Sequence, residues 1–267
     1  MLERRMLYNE EVGYLKQIVR EIRKDHPTLS SRAMYHMIMP ECIGRDKFEG
    51  LCREWGYSIE RCINYQKTTN SNGVIRFENH LAGLELTNVN QAFSSDITYF
   101  DICGKFHYIT FIIDCFSRMI LGYSVSKRLT TEQTTIPALQ MAIKARGGKI
   151  PPGTILHSDG GGQYYAREFV SITAKYNLVN SMCEYPWENG KAERINGTIK
   201  NNYLKHFKIK TFEDLIKNVD RSVTLYNTDR PHKSLSFLTP FEFEKKQLLL
   251  VEQTTPKMTE SFDAITK

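Results

Sequence analysis

The sequence lacks the long apolar runs, paired cysteines and repeats that mark several large classes of protein. No apolar run approaches the ~20 residues that a bilayer crossing needs. The first sixteen residues lack the apolar stretch and small-residue cleavage site of a secretory leader. The six cysteines are scattered, without a Cys-x-x-Cys pair. These absences disfavour a membrane protein, a disulfide scaffold and a zinc ribbon, and they predict reduced core thiols in a cytoplasmic protein.

A strong excess of one charge is also missing. Lysine and arginine number 36 and aspartate and glutamate 30, which gives a net charge of +6. An excess this small is compatible with a polyanionic partner, but it points to one only where the cations cluster. The chain has 267 residues, of which 41% are hydrophobic, and this suffices for one large domain or two modest ones with a sizeable core.

The first 64 residues are predicted to be helical. Asn9 is expected to cap a first helix that ends before Pro27, a second helix is expected near residues 30–39, and Gly56 is expected to end a third. Helix, short turn and helix is the arrangement of many DNA-binding helix-turn-helix modules. It is equally the arrangement of any small helical bundle, so both interpretations of residues 1–64 stay open.

Three further regions follow. Residues 65–90 have weak periodicity and are predicted to form a linker. Within residues 91–208, three runs rich in β-branched and aromatic residues with short connections indicate an antiparallel meander, after which helices and short strands alternate. The predicted fold class is therefore α/β, a mixed sheet flanked by helices in the element order of a ribonuclease H-like domain. Residues 209–267 are predicted to be a C-terminal helix and tail.

Two aspartates stand where strands would not ordinarily hold an acid. Asp96 lies in the middle of the first predicted strand, in SSDITYF, although aspartate is a poor strand former. Asp159 follows the short apolar run TILH, at a strand end where ligands bind in α/β sheets, and precedes three glycines that leave room beside it. The alternatives are an exposed position on an edge strand for Asp96 and an ordinary Asp-Gly turn for Asp159.

Glu193 is the single acid among six basic residues between Asn189 and Lys210. On a helix it shares one face with Gly197 and Lys200, whereas the apolar residues lie on a broadly opposite face that can pack on a sheet. Glycine costs a helix interior roughly 1 kcal/mol, and here it leaves the outer face open to close approach. A metal-binding carboxylate beside a phosphate-binding lysine explains this pattern. The alternative is a surface ion pair worth roughly 0–1 kcal/mol.

Together these three acids predict a site for hard divalent cations. Mg²⁺ prefers carboxylate oxygens and binds phosphate at the same time. Two such ions activate the attacking oxygen and stabilise the leaving oxygen in phosphoryl transfer. We therefore expect Asp96, Asp159 and Glu193 to hold two Mg²⁺ ions, for which Mn²⁺ would substitute.

Five stretches of sequence carry a resemblance. They are SSDITYF around Asp96, DCFSRMILGY from Asp114, HSDGGGQYYAREF around Asp159, NGKAERINGTIK around Glu193 and YNTDRPHKSLSFLTP from Tyr226. In this order and combination the chain resembles DDE transposases of the retroviral-integrase superfamily, in particular the OrfB-type proteins of the insertion sequence 3 family. The resemblance covers about residues 91–241, and the helical segment before them is similar to the region that precedes the core in such proteins.

The resemblance implies an integrase catalytic core in which Asp96, Asp159 and Glu193 are the catalytic, metal-binding triad. It implies cleavage of DNA at element ends by water, followed by strand transfer through attack of a 3′-hydroxyl. Such proteins work as homo-oligomers on terminal repeats and target DNA, which implies a bacterial, cytoplasmic protein associated with the nucleoid. Relatives commonly act with an upstream partner, OrfA, and because this chain has no sustained heptads, such a partner or fusion is expected.

The chain departs from the family pattern in one spacing. Thirty-three residues separate Asp159 from Glu193, two fewer than in many relatives, so Glu184 and Glu188 are rival third ligands. Glu193 is preferred because NGKAER carries the motif. Two alternative functions also stay open, namely a related nuclease that cuts without joining and a non-catalytic DNA-binding regulator.

The remaining expectations concern charged residues outside the triad. The cations predicted to bind DNA are Lys191, Arg194, Lys200 and Arg230. Arg230, together with His232 and Ser234, is alternatively expected to brace the tail helix against the core, and this is the favoured interpretation. Asp114 is predicted to pair with Arg118 at a turn rather than to be a fourth metal ligand.

Overall fold

The computed structural model describes residues 2–41, 43–59 and 76–254. The helices in this part of the chain are α1 (Leu2–Asp25), α2 (Ser31–Ile38), α3 (Arg45–Glu54), α4 (Thr135–Ala145), α5 (Arg167–Lys175), α6 (Gly190–Asn202), α7 (Phe212–Thr228) and α8 (Pro240–Thr254). The strands are β1 (Ala92–Ile102), β2 (Lys105–Asp114), β3 (Ile120–Ser126), β4 (Ile155–Ser158) and β5 (Val179–Met182). None of the helices in the described ranges is long and apolar enough to cross a membrane.

The five strands form one mixed sheet in the order β3-β2-β1-β4-β5. As predicted, β1, β2 and β3 are an antiparallel meander. β4 pairs in parallel with β1, and β5 pairs in parallel with β4. Parallel neighbours need a crossover connection, which α5 supplies between β4 and β5. The predicted α/β fold class is confirmed, and β1 lies at the centre of the sheet.

Helices cover both faces of the sheet. On one face, α4 and α5 pack over an apolar cluster that includes Phe93, Ile112 and Leu156. On the other face, α6 and α7 pack over a second cluster that includes Ile109 and Phe111. Burying both faces explains why β2 is buried at every position from Ile109 to Asp114. Helix α7 therefore packs on the sheet, although the sequence groups it with the C-terminal tail.

Gly122 on β3 shows how closely α4 approaches the sheet. A Cβ at this position would lie 2.2 Å from the carbonyl oxygen of Ala138 and 2.6 Å from the backbone nitrogen of Ala142. Only glycine leaves room for the helix backbone at this distance. Helix α4 begins at Thr135, so that Pro137 falls in the first turn, where a missing N–H costs little.

The N-terminal helices form a bundle around their own apolar cluster, which includes Val19, Met34 and Phe48. The prediction that Asn9 caps the first helix is wrong, because α1 begins at Leu2. The segment LERRMLY consists largely of good helix formers, so the helix propagates through Asn9.

The ends of α2 and α3 follow the sequence more closely. Ser30 caps α2, since its hydroxyl accepts a hydrogen bond from the backbone N–H of Ala33 at 3.2 Å. Gly56 follows α3 with a φ of 78°, a left-handed conformation that glycine adopts without strain. The prediction that Gly56 ends this helix is confirmed.

The cysteines and the predicted linker lie partly outside the described residues. Cys52, Cys115 and Cys183 are buried free thiols, as expected, whereas Cys103 is free but exposed beside the β1–β2 turn, which corrects its predicted place in the core. Cys42 and Cys62 fall outside the described ranges. Of the predicted linker, residues 76–90 are described, and they contain neither helix nor strand.

Candidate active site

The central strands bring the two aspartates together. β1 pairs in parallel with β4, with Ser94 opposite His157, and continuing this register by two residues sets Asp96 level with Asp159. Asp159 directly follows β4, at the carboxyl end of a parallel strand. Both aspartates are half-buried. The sheet register therefore supplies a pair of neighbouring carboxylates at the edge where ligands bind in α/β proteins.

Helix α6 adds a third carboxylate because its start is tied to β1. The buried side chain of Asn189 donates a hydrogen bond from Nδ2 to the carbonyl oxygen of Ser95 at 2.9 Å. The hydroxyl of Ser94 donates to Oδ1 of the same asparagine. These two bonds hold the first turn of α6 beside the strand that carries Asp96. Glu193 lies in that turn, within electrostatic reach of both aspartates.

Asn196, one turn after the glutamate on α6, contacts the first aspartate directly. Its Nδ2 donates to Oδ2 of Asp96 at 2.8 Å, and the backbone N–H of Ile97 donates to Oδ1 at 2.9 Å. Oδ1 of Asn196 is buried and has no hydrogen-bond partner among the described residues. An unpaired buried acceptor costs about 1–3 kcal/mol, so this oxygen is a candidate to contact a ligand or its hydration shell.

The three carboxylates share an unusual electrostatic environment. Burial, followed by the charges of Asp159 and Glu193, raises the pKa of Asp96 to about 7. Burial also raises the pKa of Asp159, and burial together with the charge of Asp159 raises the pKa of Glu193. In the described part of the chain, none of the three forms an ion pair with a lysine, arginine or histidine. Clustered acids with raised pKa values and no basic partner are typical of functional sites.

The donor set fits a hard divalent cation, because all three side chains offer carboxylate oxygens. No three His, Cys, Asp or Glu side chains in the described ranges are already close enough together to enclose an ion. Carboxylates repel one another, so their final approach requires the positive charge that they would bind. The side chain of Glu193 is exposed, and its rotamers give it the freedom to make that approach.

The glycine-rich loop leaves space beside the second aspartate. A Cβ at Gly161 would lie 3.0 Å from Oδ1 of Asp159, and the backbone N–H of Gly161 donates to the same oxygen at 3.2 Å. Tyr164, which ends this loop, is fully buried, and its hydroxyl lies 2.9 Å from Oγ of Ser95 on β1. The loop is thereby fastened to the strand that carries Asp96.

The two rival glutamates lie in a local capping arrangement. Oε2 of Glu188 accepts the backbone N–H of Glu184 at 2.7 Å and that of Tyr185 at 2.9 Å. These bonds cap the short 3₁₀ turn before α6. The acids that raise the pKa of Asp96 are Asp159 and Glu193. Of the three glutamates, Glu193 is the one that reaches both aspartates.

The four predicted DNA-binding cations do not converge. Lys200 lies on the same face of α6 as the carboxylate cluster, and its Nζ is 4.3 Å from the ring centre of Tyr99. Lys191 and Arg194 project from the other side of α6, where they and Arg230 line a separate cleft. Helix periodicity alone separates Lys191 from Lys200, whereas the sequence could not reveal that Arg230, from the segment after α7, joins Lys191 and Arg194.

Asp114 stabilises a turn. It is fully buried and accepts three backbone hydrogen bonds. The donors are the backbone N–H groups of Asn90, Phe116 and Ser117. Its ion-pair partner is Arg146, at 3.4 Å, which also pairs with Glu244 at 2.7 Å. The predicted pairing with Arg118 is therefore wrong. The partner directly follows α4, in a distant segment that the sequence could not single out.

Sequence reasoning missed Asn189, and its role predicts a measurable effect. Asn189→Leu removes two buried hydrogen bonds, so we expect a loss of about 1–3 kcal/mol in the free energy of unfolding. We also expect Mg²⁺ to bind the carboxylates about tenfold more weakly, because the first turn of α6 is no longer held beside β1. Calorimetric titration with Mg²⁺ would check this.

Asn201→Ala, an exposed position near the other end of α6, is the matched control for Asn189→Leu and should behave as wild type. If Asn189→Leu loses stability while its Mg²⁺ affinity stays that of wild type, the asparagine contributes to packing alone.

Comparisons with known proteins agree on one family. Two family models, each described as an integrase core domain, match residues 87–185 and 175–240. The Insertion element IS600 uncharacterized 31 kDa protein of Shigella sonnei is 29% identical over 209 residues, which cover 76% of each chain. Transposase InsF for insertion sequence IS3A of Escherichia coli (strain K12) is 32% identical over 171 residues, which cover 60% of this chain and 55% of the relative.

A solved structure supports the fold. It is the simian T-cell lymphotropic virus intasome in complex with PP2A regulatory subunit B56 gamma, whose matching chain is 17% identical with a TM-score of 0.50. The match covers 85% of this chain and 72% of that chain.

Proposed function

Because the chain belongs to the integrase core domain family and is a DNA transposase of the insertion-sequence type, we propose that Asp96, Asp159 and Glu193 are its catalytic residues. The observation that carries this proposal is the coupling of three carboxylates with raised pKa values, supplied by β1, β4 and α6, without a basic partner among the described residues. Such a cluster is costly for the fold unless it binds a cation.

The three carboxylates would hold two divalent ions. Mg²⁺ would be the natural metal, and Mn²⁺ would substitute for it. Bound divalent ions supply Lewis-acid chemistry at the scissile phosphate. Asn196 on α6 orients Asp96 by donating a hydrogen bond to its Oδ2. Gly161 leaves the approach to Asp159 open. Lys200, on the same face of α6, would contact a phosphate of the DNA near the reacting one.

The proposed reaction has two steps at phosphorus. In the first, a water oxygen bonds to the phosphorus at the element end and loses a proton, the P–O3′ bond breaks, and the departing O3′ takes up a proton, so that a free 3′-hydroxyl remains. In the second, that hydroxyl oxygen bonds to a target phosphorus and its proton leaves to solvent, while the target P–O3′ bond breaks and the departing O3′ takes up a proton from solvent. One phosphodiester replaces another in the second step, so joining needs no external energy source.

The assembly that carries out this reaction is also a proposal. Two DNA ends must be held at once, so a homo-oligomer on DNA is the expected working form. An OrfA partner, or a fusion to one, would complete end recognition, and the site of action would be nucleoid DNA in the bacterial cytoplasm. The proposal includes α2 and α3 as a helix-turn-helix that binds DNA.

A strand-transfer assay tests the proposed function. The protein is incubated with labelled element-end DNA, a plasmid target and Mg²⁺, with and without EDTA. We expect joined products that disappear with EDTA and return with Mn²⁺. DNA that is nicked and never joined, with OrfA present, would favour a nuclease, and binding without cleavage would favour a regulator.

A further inference from the structure

A basic cleft of about 320 Å³ lies between α2, α6 and the segment that follows α7. Its lining contains six cations and no aspartate or glutamate. The cations are Arg32, Arg118, Lys191, Arg194, Arg230 and Lys233. The whole chain carries a net charge of only +6, so this local concentration of positive charge is not a reflection of composition. A cleft lined by one sign of charge concentrates its counter-ions.

Most of these cations are not neutralised by the protein. Among the described residues, Arg32 forms an ion pair with Glu49 at 3.0 Å, and the other five cations of the cleft form none. The charge of Asp114 reaches Lys191, but that aspartate is already paired with Arg146. Five unpaired positive charges around one cleft repel each other, and a bound anion would relieve this repulsion.

Residues that line the cleft also carry unsatisfied polar atoms. Four side-chain atoms of its lining are buried without a hydrogen-bond partner among the described residues. They are Oγ1 of Thr28, Nη1 of Arg118, Nη1 of Arg230 and Nε2 of His232. Leaving a buried polar group unpaired costs about 1–3 kcal/mol. Guanidinium nitrogens in this state are suited to phosphate oxygens, which arginine binds in a fork geometry.

The walls of the cleft are held together by aromatic contacts. The ring of His36 on α2 stacks on Phe237 with centroids 3.7 Å apart. The guanidinium of Arg230 lies 5.8 Å from the ring centre of Tyr203, whose hydroxyl is 2.9 Å from Nδ1 of His26. The N-terminal bundle, α6 and the tail segment are therefore fastened together around a preformed opening. Arg230 contacts the ring of Tyr203, in line with the bracing role that the sequence favoured, and its Nη1 has no hydrogen-bond partner among the described residues.

Helix α6 separates this cleft from the carboxylate cluster. Residues two positions apart on a helix point about 200° from each other. Lys191 lines the cleft, whereas Glu193 and Lys200 lie on the opposite side of α6. A phosphate in the cleft is therefore not the one that reacts.

We propose that the basic cleft binds the phosphate backbone of DNA away from the reacting phosphate, with Arg118, Lys191, Arg194 and Arg230 as its main ligands. The proposal rests on the proposed function for the identity of the ligand as DNA. A DNA backbone fits better than one free phosphate, because duplex DNA presents a charge about every 1.7 Å of its axis, whereas one dianion offsets about two of the five unpaired cations.

The test measures DNA binding by the full chain in EDTA, so that cleavage plays no part. Binding of a fluorescent duplex is measured at several salt concentrations for wild type and for Arg118→Gln combined with Lys191→Gln. We expect the double variant to bind about 10²-fold more weakly near 0.1 M salt, and the slope of log K against log salt to fall by about two. Arg194→Gln, at an exposed position, should lower the slope by about one.

The matched control is Lys144→Gln, an exposed lysine on α4, which covers the other face of the sheet, and it should bind as wild type does. Wild-type affinity and slope in both cleft variants would overturn the proposal. Calorimetry with inorganic pyrophosphate separates the two anion sources. We expect wild type to bind pyrophosphate with a millimolar dissociation constant. The proposal would be overturned if wild type bound pyrophosphate at micromolar concentration and the variants lost that binding while their affinity for DNA stayed unchanged. That result would show a site for a free anion. If the strand-transfer assay gave no joined product while the cleft variants still showed weaker DNA binding and a smaller salt slope, the result would count against the proposed function and not against the cleft.

Discussion

Asp159→Asn is expected to abolish both cleavage and strand transfer while DNA affinity in EDTA stays within about twofold of wild type. Asparagine keeps the shape of the side chain and removes its negative charge, so a hard divalent cation loses an anionic oxygen ligand. Metal-ion catalysis supplies several kcal/mol of transition-state stabilisation, which corresponds to a loss of at least about 10³-fold in rate. Single-turnover rates on labelled element-end DNA would measure it.

The control for this variant is Asp101→Asn. Asp101 is an exposed carboxylate on β1, and its Oδ1 accepts the backbone N–H of Gly104 at 3.1 Å, a bond that asparagine retains. It should cut and join as wild type does. Glu193→Gln should reproduce the loss seen with Asp159→Asn, whereas Glu188→Gln should not. Activity that survives Asp159→Asn would show that the triad is wrongly assigned.

Without divalent ions, the contribution of Asp96 to the stability of the protein is expected to fall as the pH rises from about 5 to about 8. The folded state raises the pKa of Asp96 from 3.8 to about 7, chiefly through burial and then through its two acidic neighbours, so the folded protein holds this proton more tightly than the unfolded chain. The resulting stabilisation is full below pH ~4 and is lost as the pH rises through ~7. With one pKa unit worth about 1.4 kcal/mol and the side chain half-buried, the loss is about 2–3 kcal/mol.

Asp96→Asn should remove this contribution, because the amide carries no titrating proton. Burial lowers the pKa values of His26, His157 and His232 to about 4, which makes stability rise with pH in both proteins, so the difference between wild type and variant isolates Asp96. Urea unfolding in EDTA between pH 5 and pH 8, for the variant, wild type and Asp101→Asn, measures the effect. Mg²⁺ at pH 8 should raise the unfolding midpoint of wild type and of the control, and raise that of Asp96→Asn much less. A difference in stability between wild type and Asp96→Asn that stays constant over this range would contradict the described coupling of the carboxylates.

Local sequence determined the elements and the acids of this protein. The meander of β1 to β3 was predictable because β-branched and aromatic residues persist over each strand and the connections are short. Asp96 stood out because a poor strand former interrupts such a run, and Glu193 because it is the single acid of a basic helix. The start of α1 was predicted wrongly because Asn9 is a plausible cap, while the good helix formers before it extend the helix to Leu2.

Tertiary structure alone decided which of these groups meet. Asn189 ties α6 to β1 through residues more than ninety positions earlier, and Asp114 pairs with Arg146 and not with its neighbour Arg118. The basic cleft joins residues from Thr28 to Phe237 that have no common local pattern. The physical reason is the distance along the sequence between the residues that make contact. A local window encodes backbone preference and the period of apolar residues, whereas contacts between distant side chains depend on how whole helices pack on the sheet.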